Sequence, residues 1–189
     1  MGSEMCIRDS NNDDIAYDMY VDQYGYVYIT GQTGDDVLLL KAYHDDFLFY
    51  QSWDYNGTEA GYGIHVVGAH IYITGYTYGN DTLKEDIILL RYDLSGNLLS
   101  SQIWAGDGTD IGYGIYVTED DEIYICGATT SFSAGDKDII LLKYSIPTFF
   151  GTLTTVDPNT YLAGVSILVL LFAVIPLVII VIIKVKSMQ

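Results

Sequence analysis

The segment Tyr28-Ile29-Thr30-Gly31 returns twice along the chain, and this repetition decides the fold. Its second and third copies are Tyr72-Ile73-Thr74-Gly75 and Tyr124-Ile125-Cys126-Gly127. Each copy follows a segment that alternates Tyr, Ile and Val with small or polar residues, and each precedes an apolar run that ends in Lys or Arg. Self-similarity of this kind is the signature of a repeat architecture.

Each repeat predicts a small antiparallel sheet. The first segment alternates, and the second is β-branched and aromatic and ends at glycine, as strands commonly do. The third segment contains a continuous apolar run, such as residues 87–90, which is expected of a strand buried on both faces. A fourth, more polar segment ends in Trp53 or Trp104 and closes the first two units. Turn signals separate the segments.

Four antiparallel strands recurring every ~45–50 residues predict one blade of a β-propeller. A β-sandwich is the rival fold, since it too consists of many short strands joined by regular turns. The sandwich does not explain why the order and chemistry of the segments recur in register, so we favour the propeller. The third unit has no clear fourth strand, and we expect that strand to be missing or degraded in residues 147–153.

The stretch from Asp14 to Thr33, DIAYDMYVDQYGYVYITGQT, resembles the β-propeller repeat family of SBBP type. That family has an Asp-x-Ala segment, a Val-Asp-x-x-Gly-Asn turn, a Val-Tyr-Val-Thr-Gly strand and an apolar run ending in Lys. The likeness covers about residues 12–145. Gly68-Ala69 and residues 118–121 depart from the turn pattern, and Cys126 replaces the usual Thr. The resemblance implies a propeller of several blades on secreted or surface proteins and no single activity.

Residues 162–183, LAGVSILVLLFAVIPLVIIVII, form an uncharged apolar run that predicts one transmembrane α-helix. At about 1.5 Å per residue this helix spans roughly 33 Å, enough for the hydrocarbon core. A buried core helix is the alternative, but it would normally keep a polar stripe. Lys184 and Lys186 follow directly, and this charge bias places residues 184–189 in the cytoplasm and the acidic part outside.

We expect the first ten residues of the chain to be a leader that is not part of the fold. Residues 1–10, MGSEMCIRDS, fit neither the repeat nor a signal peptide. Without a signal peptide, the same layout would be a tail anchor with the repeats in the cytoplasm. We favour the charge bias because this leader does not look native. The remaining predicted parts are the repeats 11–145 (units of about 12–54, 55–105 and 106–145) and a linker, 146–161.

A closed propeller needs at least about four blades, and only three units are visible. We therefore expect the chain to be the C-terminal fragment of a longer protein. An open stack of blades would expose an apolar sheet face at its end, which repeat proteins normally cap.

The composition excludes several functional classes. The 25 acidic residues against 8 Lys and Arg give a formal net charge of −17, which disfavours nucleic-acid binding. Two cysteines, Cys6 and Cys126, cannot build a disulfide framework or a zinc site. We expect Cys126 to be a small core residue. Neither a Gly-x-Ser-x-Gly motif nor a phosphate loop occurs, so we predict no catalytic residue and no cofactor.

The acidic residues are concentrated in predicted turns. Pairs such as Asp35-Asp36 and Asp120-Asp121 could hold Ca²⁺, but none has EF-hand spacing. Asp in a turn ordinarily caps its own backbone, and we interpret these pairs as turn chemistry rather than metal ligands. The acids that recur before each apolar run are interpreted as blade architecture, because a residue needed once for chemistry would not recur in every unit: they are Asp36, Asp86 and Asp138.

Alternate connections of an up-and-down sheet emerge on the same side, and these loops carry the candidate binding residues. The candidates are Tyr55, Asn56, Tyr76, Tyr78, Asn80, Asp81 and Phe132. Exposed tyrosines in loops suit contacts with glycans or proteins, although simple length variation in solvent is an equally good explanation. Asn56 and Asn80 also begin Asn-x-Thr sequences and are candidate glycosylation sites.

These observations predict a single-pass cell-membrane protein with an extracellular β-propeller that acts as a binding, adhesion or scaffolding module. Its partners would be the lipid bilayer, through residues 162–183, and an unknown extracellular protein or glycan. The alternative is an ectodomain fragment of a propeller-based surface enzyme, a hydrolase or lyase that acts on extracellular polymers. Catalytic residues would break the repeat in one blade, whereas the breaks here lie mostly in turns, which favours binding over catalysis.

Overall fold

The computed structural model describes residues 12–78, 84–131, 136–145 and 177–181. Within these residues the chain is all-β and forms three four-stranded antiparallel sheets without a helix, which confirms this part of the predicted fold class. The first sheet contains β1 (Asp14–Val21), β2 (Tyr26–Thr33), β3 (Asp36–Tyr43) and β4 (Asp46–Trp53). The second contains β5 (Glu59–Val67), β6 (His70–Tyr78), β7 (Glu85–Asp93) and β8 (Leu98–Trp104). The third contains β9 (Asp110–Val117), β10 (Glu122–Thr129), β11 (Asp138–Ser145) and β12 (Leu177–Val181).

The fourth strand of the third sheet comes from a distant part of the sequence. β12 pairs antiparallel with β11, so that Lys143 lies opposite Ile179. These five residues belong to the predicted membrane segment. Among the residues that the structure describes, no helix is long and apolar enough to cross a bilayer. Several predicted parts lie outside the described residues: the leader 1–10, the linker with the degraded strand 147–153, the rest of 162–183, and the tail with Lys184 and Lys186.

Side chains stabilise the turn between the first two strands in the first and third sheets. In the first sheet, Asp22 Oδ1 accepts the backbone N–H groups of Tyr24 and Tyr26 at 2.9 and 3.0 Å, and Gly25 has a φ of +86°. In the third sheet, the Thr118 hydroxyl accepts the N–H of Glu122 at 3.0 Å, and Asp121 takes the positive-φ position. The third unit therefore departs from the repeat pattern in sequence but forms the same turn with different side chains.

The sheets stack in sequence order through two apolar cores. Val37 and Leu39 of the first sheet pack against Ile64 and Val66 of β5. Ile87, Leu89 and Tyr72 of the second sheet pack against the third sheet in the same way. A continuously apolar strand can pack against the sheets on both sides, because its successive side chains point to opposite faces.

The threonine of the repeated segment fixes the distance between neighbouring sheets. Thr30 and Thr74 donate their hydroxyls to the carbonyls of Leu38 and Ile88, both at 2.9 Å. Each Oγ1 lies so close to a glycine of the next sheet, Gly61 for Thr30, that a Cβ there would overlap it. Cys126 takes this position in the third sheet and is exposed, so the expectation of a core cysteine is wrong.

Candidate functional site

The predicted loop residues that the structure describes gather at one end of the first and second sheets. Tyr55 and Asn56 lie in the β4–β5 connection, where the Tyr55 ring stacks on Trp53 with centroids 5.7 Å apart. The N–H of Glu59 donates to the carbonyl of Asp35 at 2.6 Å, and the N–H of Tyr78 donates to Thr58 at 2.9 Å. The β4–β5 connection therefore binds both the β2–β3 turn and the end of β6.

Two of the candidate loop residues are strand residues instead. β6 runs to Tyr78, and its pairing with β7 continues to Tyr78 opposite Glu85. Tyr76 is half-buried in this strand and Tyr78 is exposed at its end, because the ladder extends past the glycine at which the sequence predicted a stop. Asn80, Asp81 and Phe132 lie outside the described residues.

Asn56, the candidate glycosylation site, is exposed on the outside of its connection. It has a φ of +64°, and its N–H donates to Asp54 Oδ1 at 2.5 Å. Asn is among the few residues that adopt this conformation at modest cost. The side chain therefore lies where an attached glycan would extend into solvent.

A buried acid at the start of β5 and β9 holds the end of the neighbouring strand. Glu59 Oε1 accepts the hydroxyl of Thr77 at 2.8 Å, and Asp110 Oδ1 accepts that of Thr129. Both acids have no exposed surface. Asp36 and Asp54 lie beside Glu59, and these three carboxylates are the described residues that could hold a metal ion.

Aromatic rings form two rows across the first strands of the three sheets, and we name these two rows the aromatic strip. In one row, Tyr62 lies 4.8 Å from Tyr17 and 5.6 Å from Tyr113, centroid to centroid. In the other, His65 lies between Tyr20 at 5.4 Å and Tyr116 at 4.9 Å. The strip is accessible, since 43% of Tyr17, 48% of Tyr113 and 61% of Tyr116 is exposed.

A β-bulge places the first row. The register of β1 with β2 shifts between Ala16 and Asp18, which leaves Tyr17 outside the regular pairing. Equivalent shifts occur around Tyr62 in β5 and Tyr113 in β9. Bulges commonly re-aim a side chain near a functional site, and here they do so at the same position in three sheets.

A cleft of about 470 Å³ lies between the first and second sheets beside the second row. Tyr20, Tyr24 and Tyr26 line it together with Tyr28 and Lys41. Lys41 Nζ donates to the carbonyl of Leu94 at 3.1 Å and lies 4.5 Å from the Tyr26 ring centroid. Burial lowers the pKa of Lys41. Burial and the nearby Asp22 carboxylate raise the pKa of Tyr28 to about 12. The cleft thus offers aromatic faces and one partly desolvated cation.

The aromatic strip was not predicted from the sequence. Its signal was present, because Tyr17, Tyr62 and Tyr113 recur in register, as do Tyr20, His65 and Tyr116. Strand alternation predicts the face of the sheet on which a side chain lies only while the pairing is regular. A bulge reverses that assignment and cannot be recognised from alternation. Recurrence was interpreted only as evidence for the fold.

The chain matches no protein-family model, and no curated protein matches it. Its resemblance to SBBP-type repeats remains a prediction from the residues.

Proposed function

We propose that this chain is part of a membrane-anchored β-propeller displayed outside the cell, where it acts as a binding, adhesion or scaffolding module. Three similar four-stranded sheets stacked in sequence order are consistent with propeller blades. In that architecture the first strands of the blades are neighbours, as β1, β5 and β9 are here.

The aromatic strip is the observation that carries the proposal. Large, rigid aromatic side chains provide contact area at low entropic cost, which is why they dominate binding surfaces. Here six rings at equivalent positions pack side by side on adjoining strands, and the Tyr-lined cleft continues from Tyr20. A repeated surface of this kind suits a repeated ligand, such as a glycan chain or an extended protein segment.

The charge of the chain limits the chemistry of that ligand. With a formal net charge of −17, the protein repels polyanions and favours neutral or cationic ligands. We therefore expect neutral glycans or basic peptides to bind better than sulfated or phosphorylated ones.

The membrane location rests on residues 162–183 and on Lys184 and Lys186. A single span with this charge bias would hold the repeats outside the cell and leave residues 184–189 in the cytoplasm. The aromatic strip would then face extracellular ligands.

Binding of the full chain, in detergent, to glycan and peptide arrays tests the proposed function. We expect Tyr113→Ala and Tyr116→Ala each to weaken binding of any captured ligand at least ~10-fold, because exposed aromatic anchors carry much of the affinity at such surfaces. Their melting temperatures should stay near that of the wild type, since about half or more of each side chain is exposed.

Tyr50→Ala is the matched control, because Tyr50 is 52% exposed on β4, away from the first strands. It should bind like the wild type. Equal loss in Tyr50→Ala, or unchanged binding in both strip variants, would show that the aromatic strip is not the binding surface.

A further inference from the structure

Three carboxylates from separate segments converge where the first sheet meets the second. Asp36 begins β3, Asp54 lies in the β4–β5 connection, and Glu59 begins β5. One oxygen from each lies within 4.8 Å of the other two. Asp54 is exposed, Asp36 is half-buried and Glu59 has no exposed surface. In the described part of the chain, no Lys, Arg or His forms an ion pair with any of the three.

The Glu59 carboxylate is only half satisfied. Oε1 accepts the Thr77 hydroxyl, whereas Oε2 is buried and has no hydrogen-bond partner. An unpaired carboxylate oxygen is expensive to bury. Burial raises the pKa of Glu59, and the negative charges of Asp54 and Asp36 add to this shift, while hydrogen bonds from the Thr77 hydroxyl and the Tyr55 backbone oppose it. A cation bound among the three groups would offset their mutual repulsion and give the buried Glu59 carboxylate an opposite charge.

At the equivalent junction between the second and third sheets, the buried acid has a hydrogen-bond donor for each carboxylate oxygen and needs no metal. There Asp110 replaces Glu59, and its two oxygens accept the hydroxyls of Thr129 and Ser131. Ala105 occupies the position of Asp54, counted from the preceding tryptophan. The first junction differs in Asp54, whose position holds no carboxylate in the second junction, and in the buried Glu59 oxygen that no hydrogen bond satisfies. The recurrence of Asp36 in the blades does not explain these two features.

We propose that Asp36, Asp54 and Glu59 form a Ca²⁺ site that ties the first sheet to the second. Ca²⁺ prefers carboxylate oxygens and accepts irregular geometry with about 6–8 ligands, the rest of which water and main-chain carbonyls can supply. Mg²⁺ requires a near-ideal octahedron and keeps its water shell. Asp54, on the surface, gives the ion a route from solvent to the buried Glu59.

The test is Ca²⁺ titration of the chelator-treated full chain in detergent, by calorimetry and by thermal unfolding. We expect one tight Ca²⁺ per chain, a higher melting temperature with Ca²⁺, and a weaker response to Mg²⁺ at equal concentration. Asp54→Asn should weaken Ca²⁺ binding at least ~10-fold. This variant keeps an oxygen that can accept the N–H of Asn56, so the connection retains its shape.

Asp120→Asn removes an equally exposed carboxylate from the β9–β10 turn and should leave Ca²⁺ affinity unchanged. Glu59→Gln keeps an acceptor for Thr77 and should abolish both the tight site and the effect of Ca²⁺ on melting. Wild-type affinity in Asp54→Asn, or equal weakening in Asp120→Asn, would mean that Ca²⁺ merely screens the acidic chain. Either result overturns the proposal.

Discussion

The ring of His65, in the second sheet, contacts both neighbouring sheets. Its Nδ1 accepts the backbone N–H of Val117 at 3.0 Å, so the proton of the neutral ring is on Nε2. The ring also stacks on Tyr20 and contacts Tyr116. Burial lowers the pKa of His65 from 6.5, and the Asp18 carboxylate opposes this shift only in part. Protonation of Nδ1 would break the bond to Val117, so the neutral form belongs to the folded state.

His65 is therefore expected to make stability depend on pH. Because the folded pKa is below the unfolded value of 6.5, the unfolded chain takes up the proton first, and the stabilisation is complete above pH 6.5 and lost below it. His65→Phe keeps a ring but leaves the Val117 N–H unpaired, which should cost about 1–2 kcal/mol at neutral pH. Urea titration at about pH 8 and about pH 5.5 measures the free energy of unfolding of the wild type and of His65→Phe, and so the loss of stability in the variant at each pH.

That loss of stability should be larger at the higher pH. A loss that is constant, or that grows in acid, would contradict the assigned protonation state.

The repeated segment and the bulge are two parts of one element. Gly75 pairs with Gly61 next to the bulge, and a Cβ on Gly75 would overlap the carbonyl oxygen of Ala60. Gly31 and Gly127 stand in the same relation to Ile15 and Ile111. The glycine that ends each Tyr-Ile-x-Gly segment is therefore required by the close approach of the bulged first strand, not by a turn.

Gly75→Ala is expected to destabilise the protein by at least about 3 kcal/mol, because the central ladder must open to admit the methyl group. Gly68→Ala is the matched control. A Cβ on Gly68 meets nothing within 4 Å, and only the φ of +58° opposes it, at a cost of about 1 kcal/mol. Urea unfolding of the two variants measures the difference. Similar losses in both would mean that backbone conformation, rather than close approach, selects the glycine.

Residues 177–181 have one role in the structure and a different one in the sequence prediction, and the two exclude each other. In the structure they complete the third sheet beside β11, and in the sequence they belong to a run that predicts a membrane helix. A strand that pairs with β11 cannot at the same time lie in a transmembrane helix. The location of the chain in the cell decides between these roles.

We expect the full chain to stay in the membrane pellet after alkaline carbonate washing. Phe172→Arg places a charge at the middle of residues 162–183 without changing β12, and a charge there costs about 2.5–3.5 kcal/mol in helix insertion. A double variant with Leu171→Arg should therefore move into the supernatant, whereas Ser187→Arg, beyond the span, should stay in the pellet. Release of the unmodified chain by carbonate would refute the membrane anchor and leave β12 as the role of this segment.

The sequence by itself determined the features that depend on local pattern. Alternation, glycine and Asp-containing turns identified β1–β11 and the three units, because strand and turn preferences depend on residues close together in the chain. The same local reasoning failed at Tyr76 and Tyr78, where ladder pairing continued past a glycine. It also failed at Cys126, whose exposure depends on whether another sheet packs over it.

Only the tertiary structure decided which distant groups meet. The Asp36, Asp54 and Glu59 cluster depends on the positions of β3, the β4–β5 connection and β5, and on the packing of one sheet against the next. The first row of the aromatic strip depends on bulges, which change side-chain direction without changing the hydrophobic pattern. Both arise from contacts between segments that are far apart in the chain, and a local sequence pattern carries no information about those distances.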